Sequence, residues 1–148
     1  MKLKKKIIFL VFLLILINFK SYSKNNIFIA YKVENEIITN IDIENESKYL
    51  IALNNQLQNI DKNKILVIAR KSIIKEKIKE IEILKYYTLD QKNPFLKTII
   101  KDFYVRLNLN NELEFENYLT KYDLTIEKVL KKIEIETTWN QLIYDKYD

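Results

Sequence analysis

The sequence predicts a mainly α domain: about five helices packed round one long central helix, with a small N-terminal β-hairpin. Three observations lead there. Residues 66–87 place apolar side chains at helical spacing over a wide arc. Residues 27–38 alternate with the period of a strand and break once at a turn. Four further stretches follow a helix-starting residue with helical periodicity.

Taken in order, residues 1–23 do not read as part of this fold. Lys2, Lys4, Lys5 and Lys6 precede an unbroken apolar run over residues 7–17, and Ser21-Tyr22-Ser23 follows. A basic segment, an apolar segment and a small-x-small site mark a secretory signal peptide cut after Ser23. The run is too short to span a bilayer, which takes about 20 residues. An uncleaved leader anchored in the inner membrane is the alternative. Residues 24–148 then form a single domain. Five of the 25 Lys and Arg (Lys2, Lys4, Lys5, Lys6 and Lys20) belong to the leader, which has no acid. That leaves 20 basic against 20 acidic residues. Nucleic-acid binding needs a basic excess on one face and is not expected; the membrane is met only through the leader during export.

Ile27, Ile29, Tyr31 and Val33 fall on one side of a strand, Glu34-Asn35-Glu36 makes a turn, and Ile37-Ile38 returns. Two strands alone are unstable in water, so the hairpin must pack on helices. Thr39 and Asp42 have capping-box spacing and open a helix whose stripe is Ile43, Leu50, Leu53 and Leu57. Asp61 caps the long helix, running from about residue 62 to 87. Val67, Ile74, Ile78 and Ile81 share one line of it, with Leu66, Ile73 and Leu84 alongside. Lys71, Lys75, Lys79, Glu76 and Glu82 are expected on the far side, facing water.

Asn93-Pro94 starts the next helix, over residues 94–107, since proline in a first turn loses no hydrogen bond. Phe95, Leu96, Ile99, Ile100, Phe103, Tyr104 and Leu107 cover half its circumference. A short helix over residues 112–121 turns Phe115, Tyr118 and Leu119 inward. Asp123 takes the left-handed turn, and Thr125 caps a last helix over residues 126–147. That helix has two opposed stripes. Ile126, Val129, Leu130, Ile133, Thr137, Tyr144 and Tyr147 make one. Ile135, Trp139 and Leu142 make the other, which needs a second neighbour. Glycine is absent, so asparagine is expected at turns that glycine would usually fill.

The absences bound the chemistry. With no His and no Cys there is no imidazole base, thiol nucleophile or ordinary zinc site; with no Gly there is no phosphate-cradling loop. Pairs such as Glu80 with Glu82, and Glu134 with Glu136, read as solvated helix faces. No catalytic residue, metal ligand or cofactor site is expected. What remains is surface: Phe103, Tyr104, Phe115, Tyr118 and Trp139 suggest an apolar groove for extended or unfolded peptide.

The segment Val33-Glu34-Asn35-Glu36-Ile37-Ile38-Thr39-Asn40-Ile41-Asp42 stands where one family carries VNxxxIxxxD. Ile73-Ile74-Lys75-Glu76-Lys77-Ile78-Lys79 stands where it carries LIxEKLL. With the order leader, hairpin, helix, long helix, three helices, the chain resembles the N-terminal domain of SurA-like periplasmic chaperones, a fold akin to the trigger-factor C-terminal domain. The resemblance covers about residues 28–147, nearly all of the mature chain. It implies a non-catalytic periplasmic module that binds unfolded outer-membrane proteins. Family members usually continue into parvulin-type prolyl isomerase domains, which lean on His; without His, isomerase activity is not expected, and a degenerate isomerase is the third reading. The second is a structural subunit that dimerises or docks on a partner through Ile135, Trp139 and Leu142.

Overall fold

The structure is a computed structural model that describes residues 26–89 and 94–147. The leader expected over residues 1–23 and its cut site lie outside the described residues, as do residues 90–93 before the third helix. Strands β1 (Ile29–Val33) and β2 (Glu36–Thr39) pair antiparallel, Val33 opposite Glu36 and Tyr31 opposite Ile38, with a shift between Ile29 and Tyr31. The hairpin is held by β2, whose Ile38 is 1% exposed, while Ile29 and Tyr31 on the face expected to pack are exposed.

Helix α1 (Asn40–Leu53) starts as its capping box dictates. Asp42 N donates to Thr39 Oγ1 at 3.2 Å, and Thr39 N donates to the Asp42 carboxylate at 2.7 Å. A 3-10 turn over Asn55–Asn59 follows. Helix α2 (Lys62–Ile83) is capped by Asp61, whose Oδ1 accepts from Asn63 N and Lys64 N. It ends at Ile83, short of the expected residue 87. Helices α3 (Pro94–Arg106), α4 (Glu112–Thr120) and α5 (Ile126–Tyr147) complete the chain. Asn111 caps α4 and Thr125 caps α5. Left-handed backbone occurs at Glu34, Asn108 and Asp123. Asp123 is the residue expected to take it and Asn108 follows the asparagine rule. At Glu34 a glutamate, not the adjacent Asn35, takes the strained position.

The core has two apolar parts. The larger joins Leu96 and Ile100 of α3, Phe115 and Leu119 of α4, and Val129 and Ile133 of α5, with Ala52 of α1. The smaller joins Ile83 at the end of α2 to Ile135 and Leu142 of α5, with Tyr87, Leu89 and Trp139 packed against it. Helix α5 therefore belongs to both, which is what its two stripes require. The second stripe packs on the end of α2. Tyr144 and Tyr147, placed on the first stripe by periodicity, are exposed.

The central helix faces the other way from its apolar line. Its buried positions are Ile65, Ala69, Ile73, Glu80 and Ile83, with Glu76 half-buried among them. That face lies roughly 150° round the helix from the expected line. Val67 and Ile78 on the expected line are 44% and 51% exposed. Glu76, expected in water, points inward. The cause is electrostatic: lysines of α5 meet the glutamates of α2, so charge occupies the core side. The same happens on α1, where Glu46 is 2% exposed and Ile43, Leu50 and Leu53 are half-buried. Glu80 and Glu134, expected on solvated faces, are buried as well.

Candidate functional site

The aromatic residues expected to line a peptide groove do not share a surface. Phe115 is fully buried. Phe103, Tyr104 and Tyr118 pack partly buried round the larger apolar core, and Trp139 belongs to the smaller one. Tyr118 ties α4 to the end of α1, since its hydroxyl donates to Ala52 O at 2.7 Å and its ring meets Tyr122 at 5.3 Å. Burial pushes its hydroxyl pKa up, with Tyr122 adding to the effect. Arg106 stacks 4.5 Å over Phe103, and Lys79 stands 5.8 Å from the Trp139 ring. Ile135 and Leu142, expected to meet a partner, are buried within the chain. Of the residues expected at a peptide groove or a docking face, Phe115, Ile135 and Leu142 are therefore buried, while Phe103, Tyr104, Tyr118 and Trp139 keep half-buried side chains.

An apolar groove lies elsewhere, where the hairpin crosses α1 and α2. Phe28, Ala30, Ile43, Leu66 and Val67 line it, with Glu44 and Arg70 at its rim, and its volume is about 330 Å³. Glu44 and Leu66 also line a second hollow of about 490 Å³ that runs on towards Ile51, Leu57 and Ile60. The two form one elongated seam along α1 and α2. Asn40 positions its upper wall. Its side-chain oxygen accepts from Phe28 N at 3.0 Å, its amide nitrogen donates to Asn26 O, and its backbone N donates to Phe28 O. This clamp hangs Phe28, 60% exposed, over the groove, beside exposed Ile27 and Ile29. Arg70 stands 5.7 Å from the Tyr31 ring and closes the other wall. Contiguous exposed apolar side chains rimmed by polar ones are the mark of a binding surface. Val67, on the expected apolar line, belongs to this surface, but periodicity alone does not give its direction.

A second constellation is charged and internal. Lys132 Nζ of α5 reaches Glu46 of α1 at 2.6 Å and also pairs with Glu76 of α2. It lies 4.8 Å from the Tyr49 ring. Nearby, Lys131 and Lys77 meet Glu80 at 2.6 and 2.9 Å, and Lys77 also reaches Glu36 of β2. Burial raises the Tyr49 hydroxyl pKa far above its ordinary value, and Glu46, Glu76 and Glu136 add to it. Burial likewise raises Glu76, overcoming the pull of Lys132. For Glu80 burial acts upward too, but hydrogen bonds from Lys131 and Lys77 outweigh it and hold the carboxyl below the usual range. Among the described residues no group of three or more His, Cys, Asp or Glu could hold a metal ion, and no helix is long and apolar enough to cross a membrane.

Comparison with known proteins finds no matching family model, no matching curated protein and no matching solved structure.

Proposed function

We propose that the chain is a non-catalytic, chaperone-like module that binds unfolded or extended polypeptide in the periplasm, with outer-membrane proteins as its clients. The observation that carries this reading is the open apolar seam between the hairpin, α1 and α2, with Phe28 and Val67 exposed on it. The absence of His and Cys removes the usual catalytic side chains. The leader-like residues 1–23 supply the compartment, and the element order resembles the N-terminal domain of SurA-like chaperones. The seam replaces Phe103, Tyr104, Phe115, Tyr118 and Trp139 as the client surface.

A second reading, a subunit that dimerises or docks on a partner, rests on Tyr144 and Tyr147, exposed at the end of α5. One experiment separates the two. Residues 24–148, purified, are mixed with an unfolded outer-membrane protein, and aggregation is followed by light scattering. Slowed aggregation at near-stoichiometric ratio, largely lost in Phe28→Glu, supports the client-binding reading. No effect at a several-fold excess ends it. Self-association of the chain alone, with no effect on the client, supports the second.

A further inference from the structure

Where α1, α2 and α5 meet, two carboxylates share one ammonium: Glu46 and Glu76 both pair with Lys132. The surrounding charges do not make up the difference. From α2, Lys77 is engaged by Glu80 and Glu36. From α5, Lys131 is engaged by Glu80, which it shares with Lys77, Glu136 is engaged by Lys79, and Glu134 is a further buried glutamate two residues from Lys132. From α1, Tyr49 contributes a neutral phenol whose ring packs on Lys132. Glu46 is 2% exposed, and its Oε1 has no hydrogen-bond partner among the described residues. A buried surplus anion and a buried oxygen without a donor are each costly. One proton removes the surplus charge.

We propose that the Glu46–Glu76–Lys132 triad holds one proton in the folded chain at pH values where free glutamate has lost it, and that this makes the seating of α5 on α1 and α2 sensitive to pH. The proton is taken from solvent on folding, forms one carboxylic acid, and returns to solvent when α5 lifts away. The upward displacement of Glu76, driven by burial and reinforced by Glu46 against Lys132 and Lys77, agrees with this. The sign follows from linkage. A carboxyl that binds its proton more tightly when folded stabilises the fold fully below its unfolded pKa. That stability is lost as pH rises from the usual glutamate range through the folded value.

The test needs the wild-type chain first. Carbon-detected NMR of the Glu46 and Glu76 carboxyls reads whether one of them keeps its proton at pH values where free glutamate has lost it. Urea unfolding at a series of pH values rising from the usual glutamate range then reads the coupling. Across the window between the unfolded and folded values, the unfolding constant of wild type relative to Glu76→Gln rises roughly tenfold per pH unit. Glu46→Gln serves in the same comparison if Glu76→Gln does not fold. A retained proton with this slope supports the proposal. Both carboxyls titrating in the ordinary range, or parallel pH profiles for wild type and variant, overturns it.

Discussion

Between α3, α4 and the first half of α5 the packed groups are hydrocarbon: Leu96, Ile100, Phe115, Leu119, Val129 and Ile133. Between α1, α2 and the middle of the same α5, carboxylates and lysines join the packed apolar groups: Glu46, Glu76, Glu80, Lys131 and Lys132. One helix thus serves two interfaces with opposite physics. The hydrocarbon interface tolerates any well-fitting side chain and has no preferred protonation state. The ionic interface accepts only matched partners, because removing one leaves the other charged and buried. Stability in the first comes from area removed from water; specificity of seating comes from the second.

Three substitutions probe that contrast, in falling order of expected effect. Phe115→Ala empties the hydrocarbon interface at its centre and is expected to cost about 4 kcal/mol in urea unfolding, unchanged between pH 5 and pH 8. A strongly pH-dependent loss there would break the contrast. Lys132→Met leaves Glu46 and Glu76 facing each other without a cation and is expected to cost about 3 kcal/mol. Adding Glu46→Leu and Glu76→Met to it is expected to restore most of the loss, measured by the same unfolding curves, since the penalty lies in unmatched charge. Failure of that rescue would mean that shape, not charge, seats α5. Thr39→Ala removes a cap that belongs to neither interface and is expected to cost about 1 kcal/mol by thermal unfolding. It sets the scale for a purely local contribution.

The same contrast explains what can be read from the sequence. Caps are local chemistry, so Thr39 with Asp42, Asp61, Thr125 and the turn at Asp123 are all where the sequence places them. The hydrocarbon interface is legible as well, because Leu96, Ile100, Phe115 and Leu119 advertise burial by type. The ionic interface is not. Glu46 and Glu76 look like water-facing residues until Lys132, far along the chain, is brought between them. Placing them in water turns α2 round and hides the groove, since Val67 then falls in the core. The second stripe of α5 signals its need for a neighbour. That the neighbour is Ile83, on the same chain, depends on how far α2 extends, which periodicity does not fix. The Asn40 clamp on Phe28 is hidden for another reason: a first-turn asparagine reads as part of the helix start, and nothing local shows that it also holds a strand.

The double role of α5 has a kinetic consequence. Lys132 is separated from Glu46 by 86 residues and from Glu76 by 56, and Tyr118 from Ala52 by 66. Helical bundles usually fold quickly because neighbouring helices satisfy one another as they form. Here α1 and α2 have their charged seam unfilled, and α3 and α4 have half a core, until α5 arrives. Loop closure over most of the chain precedes the contacts that reward it. The seating of α5 therefore waits on contacts between residues far apart in the chain.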